Sequence, residues 1–254
     1  MRGLFALILA AFAALPVGLL AQDKKATDGP RITAIAPLSV APGGKATLLI
    51  RGLKLTDATA FVFPGAPALT AEIKTKKAAE LPAGAEAKDI GDTQLEAVLT
   101  VPAEQPIGTV TFRIDTPGGN TPTRELRIAA TAGTLEEKEP NDGFREAQPC
   151  ELGRTIRGTL KSDKDVDVFG FNGTAKTKVT AEVFAARGGS LLDSVLNAID
   201  PKGHVLATND DANERDAQLT FEVPAGGRFM IAIQDAGDRG SAWHGYELLV
   251  KEKP

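Results

Sequence analysis

Short stretches of alternating apolar and polar residues, separated by glycine and proline, run through the chain from residue 31 onward. This period of two is typical of half-buried strands, and no helical period is long enough to compete with it. Seven such stretches predict that residues 31–130 form a β-sandwich. The predicted strands are Ile32–Ile35, Ala46–Arg51, Thr59–Phe63, Leu69–Ile73, Leu95–Val101, Val110–Ile114 and Glu125–Ala129.

The second half of the chain repeats the pattern and predicts a second, jelly-roll-like sandwich over residues 137–254. Asp200–Gly203 places Asp, Pro and Gly where a type I turn prefers them. The fold class is therefore predicted as all-β, two tandem sandwiches joined by a linker at 131–136. The predicted strands are Arg154–Leu160, Asp167–Phe171, Lys178–Phe184, Ser194–Ile199, His204–Thr208, Gln218–Val223, Phe229–Gln234 and Tyr246–Lys251.

Residues 76–92 interrupt the first sandwich pattern. This stretch is rich in Lys, Ala, Glu and Gly and is longer than an ordinary hairpin loop. We interpret it as a surface loop, either mobile or in contact with a partner.

The N-terminus has the pattern of an export signal. Arg2 precedes an apolar run from Leu4 to Leu20 that ends at Ala21, so we predict a signal peptide at 1–21 and a disordered lead at 22–30. A membrane anchor is the alternative, but the run is short for a bilayer and is broken by Pro16 and Gly18. We expect a secreted, periplasmic or cell-surface protein with no stable membrane span after cleavage.

Charge and cysteine content narrow the choice of partners. Residues 136–254 carry 21 acidic against 15 basic residues, whereas the rest of the chain carries 12 against 14. An acidic second half suits cation binding and argues against nucleic acid, which calls for a basic face. The one cysteine, Cys150, has no partner for an internal disulfide and is interpreted as a small, buried apolar residue.

The segment Glu137–Asp142 concentrates oxygen-bearing side chains ahead of a second acidic stretch, Asp163–Asp167. Pro140 disfavours a helix there, and an extended arm can wrap its carboxylates around a hard cation such as Ca²⁺. The alternative is that Asn141 or Asp142 caps a short helix over 145–148. The residues alone leave both interpretations open.

The order of motifs from this arm onward resembles the bacterial pre-peptidase C-terminal (PPC) domain, which is related to the collagen-binding modules of clostridial collagenases. The resemblance covers residues 135–252 and includes the arm, the Asp165–Phe169 strand, Asp200–Gly203 and Gly245–Val250. In the collagenase modules the matching arm is associated with calcium. The resemblance therefore implies Ca²⁺ ligands at Glu137, Glu139, Asn141, Asp142, Asp165 and Asp167, with Asp163 as a substitute for one of the later acids.

Residues 31–129 resemble the IPT/TIG branch of immunoglobulin-like domains. The motifs are Ile32–Pro37, the Pro42–Gly44 turn, Arg51–Leu53, Val101–Pro102 and Gly108–Gly119. Domains of that family bind partners or act as spacers.

A second polar cluster has two interpretations. It is either a further cation site or a set of turn residues that bond to the backbone, and the turn interpretation is favoured. Its residues are Asp193, Asn209, Asp210, Asp211 and Asp216.

Catalytic motifs are missing from the sequence. The two histidines, His204 and His244, are expected at the surface, and no nucleophile elbow or zinc-binding spacing is present. We therefore predict a non-enzymatic exported binding or spacer protein whose partner is an extracellular protein or polysaccharide. One alternative is a polymer-binding module accessory to a secreted hydrolase, with Trp243 and Tyr246 as its ligand surface. A hydrolase that uses the Asp193 cluster is the other.

Overall fold

A computed structural model describes residues 29–81, 86–130 and 132–253 of the 254-residue chain. The predicted signal peptide at 1–21 and the lead through residue 28 lie outside the described residues. Within the described part, none of the helices has the length and apolar character needed to cross a bilayer.

The first sandwich consists of two sheets built from residues 31–128. One sheet has the strand order β1-β3-β6-β5, and the other has the order β2-β9-β7-β4 with β8 paired to β7. In the described part of the chain its elements are Arg31–Ala36 (β1), Ser39–Val40 (β2), Gly44–Leu53 (β3), Ala60–Val62 (β4), Thr70–Ala78 (β5), Ala87–Ile90 (α1), Thr93–Val101 (β6), Gly108–Thr116 (β7), Gly119–Asn120 (β8) and Arg124–Ile128 (β9).

Alternation of side chains explains these strands. Along β6, every second residue from Thr93 to Val101 is buried, as the period of two requires. Leu95 and Leu99 pack against Leu48 and Ile50 of β3 and against Phe112 of β7 between the two sheets. All seven predicted strands are present.

The second sandwich also has two sheets, with strand orders β10-β12-β19-β14-β17 and β11-β13-β18-β15-β16. Their core holds Phe169, Phe171, Phe229, Tyr246 and Leu248. The strands are Thr134–Glu136 (β10), Gln148–Pro149 (β11), Thr155–Thr159 (β12), Val166–Asn172 (β13), Lys178–Phe184 (β14), Ser194–Ile199 (β15), Val205–Asn209 (β16), Gln218–Glu222 (β17), Arg228–Asp235 (β18) and Gly245–Glu252 (β19), and a 3-10 turn forms at Ala186–Gly188. The predicted all-β class with two sandwiches is confirmed.

The structure excludes one of the two interpretations of the arm and corrects one loop prediction. Residues 145–148 do not form a helix, because Glu146 closes a turn onto Gly143 and β11 follows directly. A cap at Asn141 or Asp142 therefore has no helix to serve. The stretch 76–92 is not a plain loop either, since β5 continues to Ala78 and α1 forms one helical turn beside β3.

The sandwiches meet through the outer face of β19. Glu247 is 4% exposed, and its carboxylate accepts hydrogen bonds from Ser39 Oγ, from Arg127 Nη1 at 3.1 Å and from Arg157 Nε at 3.0 Å. Ser39 and Arg127 belong to the first sandwich, whereas Arg157 is the cross-strand neighbour of Glu247. A backbone hydrogen bond from Ile35 N to the Gly189 carbonyl, 2.9 Å, also joins the two sandwiches.

Candidate metal centre

Asp167 enters the second sandwich because of its place on β13. Side chains two apart on a strand share a face, so Asp167 lies on the same face as Phe169 and Phe171, which belong to the core. The Asp167 side chain is fully buried, and its Oδ2 accepts a hydrogen bond from the Tyr246 hydroxyl at 2.5 Å. Oδ1 has no hydrogen-bond partner among the described residues. A buried carboxylate oxygen without a partner is costly, which indicates that something else satisfies it.

The acidic arm, residues 136–142, is held beside β12 by its own backbone. The Glu137 N–H donates to the Arg157 carbonyl at 2.8 Å. The buried Gln148 amide secures the other edge, since Oε1 accepts from Lys138 N at 2.7 Å and Nε2 donates to the Glu136 carbonyl at 3.0 Å. These bonds fix where the arm's carboxylates lie.

Three carboxylates converge at this place. One oxygen from each of Glu137, Glu139 and Asp167 can be chosen so that all three lie within 4.8 Å of one another. Glu137 is further oriented by Thr159, whose backbone N–H donates to Oε2 at 2.7 Å. Carboxylates at such spacing repel one another unless a cation or a proton lies between them.

Asn141 adds a neutral oxygen next to this cluster. The backbone carbonyl of Asn141 accepts the Val168 N–H at 2.8 Å, which places Asn141 beside Asp167. The Asn141 side chain is fully buried. Neither the oxygen nor the nitrogen of its amide has a hydrogen-bond partner among the described residues. Carboxylate and amide oxygens are the ligand types that Ca²⁺ prefers, so this donor set fits a hard divalent cation.

Lys161 is a member of the site that the sequence interpretation missed. Its Nζ lies 2.8 Å from Glu137 Oε1 and 2.9 Å from Glu139 Oε1. No spacing rule links a lysine to two glutamates more than twenty positions earlier. Only the convergence of the arm on the β12–β13 loop brings them together.

The pKa values follow from burial and from this crowding of charge. Burial raises the pKa of Asp167 to about 8, and the charges on Glu137 and Asp165 add to the rise, while the Tyr246 hydrogen bond opposes it. Burial also raises the pKa of Glu137, whereas the Lys161 hydrogen bond lowers the pKa of the more exposed Glu139. Burial and the crowding of charge thus favour a proton on Asp167 when no cation is bound.

The other predicted ligands are arranged differently. Asp165 lies close enough to act on Asp167, but its Oδ2 accepts the Lys161 backbone N–H at 2.5 Å. Asp163 accepts the Gly240 N–H at 3.2 Å. Asp142 is exposed and makes no ion pair or hydrogen bond with other residues that the structure describes. The structure thus brings together Glu137, Glu139, Asn141 and Asp167, with Asp165 adjacent.

The second polar cluster bonds to the backbone at two of its five residues. Buried Asp216 accepts the Ala186 N–H at 2.6 Å and lies 3.3 Å from Arg187 Nε. Asn209 Oδ1 accepts the Gln218 N–H at 2.9 Å. Asp193 is partly buried, while Asp210 and Asp211 are exposed.

Trp243 and Tyr246 do not form the exposed ligand surface that the sequence predicts, because both side chains are buried. Gly158 lies opposite Tyr246 on the neighbouring strand and leaves room for its ring. Among the described residues, Phe144 is the exposed aromatic side chain, at 50%.

The histidines divide between surface and interior. His204 is exposed and pairs with Asp200 at 2.9 Å, as expected for a turn residue. His244 is buried, contrary to expectation, and its Nδ1 lies 2.8 Å from Ser241 Oγ. The same hydroxyl accepts the Trp243 N–H at 3.1 Å, so Ser241 shapes the loop before β19.

Comparisons with known proteins give matches over parts of the chain. No family model matches. A curated relative, described as "Probable subtilase-type serine protease" of Deinococcus radiodurans, is 38% identical over 112 residues, which are 42% of this chain and 15% of that protein. The chain therefore spans a small part of that relative's length.

Two solved structures match parts of the chain at low identity. The pre-peptidase C-terminal domain of Bacillus anthracis collagenase is 21% identical, with a TM-score of 0.34, and covers 45% of this chain and 100% of that one. SGBP-B of the Bacteroides ovatus mixed-linkage glucan utilization locus, solved with a mixed-linkage heptasaccharide, is 11% identical, with a TM-score of 0.29, over 89% of this chain and 74% of that one. The IPT/TIG resemblance of the first sandwich stays a prediction. The chain is similar to a bacterial pre-peptidase C-terminal domain, which is the resemblance that its second set of motifs carries.

Proposed function

We propose that this chain is a non-catalytic, exported binding or spacer protein in which a calcium ion pins the acidic arm to the second sandwich. Glu137, Glu139, Asn141 and Asp167 would hold the ion, with Asp165 next to them. The ion would supply positive charge and bonds to oxygen atoms. The protein would supply an arm held by hydrogen bonds and a pocket that is partly shielded from solvent.

One observation carries this proposal. Three carboxylate oxygens lie within 4.8 Å of one another, and Asp167 Oδ1 and the Asn141 amide are buried beside them with no hydrogen-bond partner in the described residues. A cluster of exposed acids alone would be ordinary surface. Unsatisfied, fully buried oxygens at the same place are what a divalent cation would satisfy.

The expected stabilisation is modest. At millimolar extracellular calcium and a dissociation constant near 0.1 mM, binding stabilises the folded state by roughly 1.4 kcal/mol. For a domain of this size, that corresponds to a rise in melting temperature of about 3–8 °C. Calcium would therefore strengthen the attachment of the arm rather than fold the domain.

Thermal melts in calcium and in chelator test the proposal on the mature chain. We expect the calcium-dependent rise in melting temperature in the wild type and its loss in Asp167→Asn and Glu139→Gln. Glu104→Gln, an exposed acid of the first sandwich, is the matched control and should keep the rise. Equal melts of the wild type with calcium and with chelator would refute the site.

Export is part of the proposal and rests on the predicted signal peptide. Expression of residues 1–254, followed by fractionation and N-terminal sequencing, should recover a chain that begins near residue 22 outside the cytoplasm. Recovery of the uncleaved chain from the cytoplasm would contradict it.

Binding of an extracellular polymer is the second candidate function. The exposed Phe144 side chain favours it, and Phe144 takes the place of the buried Trp243 and Tyr246 as the expected aromatic contact. Aromatic faces at the surface supply much of the contact area in such modules. Pull-down on collagen and on insoluble glycans, with Phe144→Ala beside the wild type, tests this. Retention that Phe144→Ala leaves unchanged would exclude this surface.

A further inference from the structure

Lys161 lies at the mouth of the acidic pocket. Its side chain is 54% exposed, whereas that of Glu137, which it contacts, is 4% exposed. The ammonium thus bridges two of the three converging carboxylates from the solvent side. Asp167, the third carboxylate, is fully buried behind it.

We propose that Lys161 is an internal cation that competes with the divalent ion for Glu137 and Glu139, and thereby weakens and tunes ion binding. This inference rests on the proposed calcium site. The structure would then show the arm in its lysine-held state. In the ion-held state, the Lys161 side chain would turn into solvent.

The two cations satisfy different parts of the pocket. Lys161 reaches Glu137 and Glu139, but Asp167 Oδ1 and the Asn141 amide have no hydrogen-bond partner within the described part of the chain. An ammonium has three donors and one charge, whereas Ca²⁺ takes six to eight oxygens and carries two charges. The divalent ion therefore gains the buried oxygens that lysine does not contact. The half-exposed Lys161 ammonium is rehydrated when it leaves, which offsets part of the loss of its two hydrogen bonds.

The lysine also explains how the arm remains in place without an ion. Its Nζ lies 2.8 Å from Glu137 Oε1 and 2.9 Å from Glu139 Oε1, so one ammonium ties both glutamates of the arm to the β12–β13 loop. The arm is pinned at low calcium by lysine and at high calcium by the ion.

Competition of this kind has a simple arithmetic. When only a fraction of molecules has an open site, the apparent dissociation constant equals the intrinsic one divided by that fraction. If the Lys161 ammonium contacts Glu137 and Glu139 about nine-tenths of the time, its removal should lower the apparent dissociation constant for calcium about tenfold.

Calorimetric titration of CaCl₂ into the mature chain tests the inference, with far-ultraviolet circular dichroism to show that each variant is folded. Lys161→Met removes the competing cation, and Lys161→Arg keeps one. Lys138→Met is the matched control, because Lys138 lies between Glu137 and Glu139 in sequence, is exposed, and bonds through its backbone N–H rather than its ammonium. We expect a lower dissociation constant, by about 3- to 10-fold, for Lys161→Met only.

The outcomes separate this inference from the function beneath it. Wild type that binds calcium, with Lys161→Met and Lys138→Met changed equally or not at all, overturns the competition and leaves the calcium site intact. Weaker binding in Lys161→Met also overturns it. If the titration detects no calcium binding in the wild type or in any variant, both the proposed site and this inference are refuted. Calcium binding that is present only in Lys161→Met supports the inference.

Discussion

At the scale of single residues, the geometry of the site depends on Gly158, which has no side chain. A Cβ on Gly158 would lie 2.2 Å from the Tyr246 hydroxyl oxygen and 2.9 Å from Glu137 Oε2. The missing side chain lets Tyr246 reach Asp167 and lets Glu137 lie against β12. A glycine inside a paired strand is otherwise unfavourable, so its presence here has a packing reason.

Substitution of Gly158 tests that reason. Gly158→Ala should destabilise the second sandwich by about 1–3 kcal/mol, because the added methyl group overlaps the Tyr246 hydroxyl and forces the ring to move. Gly245→Ala is the control, since a Cβ there meets only ordinary contacts from 3.7 Å. Chemical denaturation of both variants measures the difference. Equal stability of the two would show that Tyr246 has room elsewhere.

The pKa of Asp167 predicts how stability changes with pH in chelator. Its folded pKa is about 8, and an unfolded aspartate has a pKa of about 3.9. Between these values the folded state holds a proton that the unfolded state has lost, so stability is greatest at the acid end and falls as pH rises toward 8. Asp167→Asn should flatten this fall, as measured by the free energy of unfolding from pH 5 to 8. A wild-type profile that rises through the window would contradict the assignment.

Residue chemistry was only partly readable from sequence. Glu137, Glu139, Asn141 and Asp167 stand out as oxygen donors in a PPC-like order. Lys161 carries no such signal, because its role depends on a three-dimensional approach to residues on the arm. The burial of Trp243 could not be predicted either, since the loop around it has no regular alternation of apolar and polar residues that would indicate a buried face.

At the scale of elements, the arm behaves as an added edge of the second sandwich. β10 runs parallel to β12, β11 runs parallel to β13, and Gln148 ties the backbone between them. Longer strands were predictable because four or more alternating positions reveal a face. β10 and β11 have three and two residues, too few for any period to show.

Removal of the Gln148 side chain should loosen the arm alone. Gln148→Leu leaves the Lys138 N–H and the Glu136 carbonyl without partners, at a cost of about 1–3 kcal/mol. We expect amide hydrogen exchange at 136–142 to quicken at least about tenfold, with the β18 core unchanged. Uniform acceleration over both regions would show global unfolding instead.

At the scale of the whole molecule, Glu247 joins the sandwiches. Its carboxylate lies between Arg157 of the second sandwich and Ser39 and Arg127 of the first, and Arg127 stands over the Phe184 ring at 5.0 Å. Sequence shows two sandwich patterns but not how they meet. The outward face of one strand cannot reveal which distant residues cover it.

Glu247→Ala should separate the sandwiches by leaving two arginines without their shared partner. Arg127 is 40% exposed, so solvent screens part of the loss, and we expect a cost of about 1–3 kcal/mol. Small-angle scattering should show a larger radius of gyration than the wild type. Glu252→Ala, an exposed acid on the same strand, should scatter as the wild type does. An unchanged radius in Glu247→Ala would mean that other contacts suffice.

A crystal structure of the mature chain grown with calcium is the most direct test of the central claim. The account predicts an ion bonded at about 2.3–2.6 Å to oxygens of Glu137, Glu139 and Asp167, with Lys161 turned to solvent. Density that still shows the Lys161 ammonium between Glu137 and Glu139 at saturating calcium, or an ion bound instead beside Asp193 and Asn209, would contradict it.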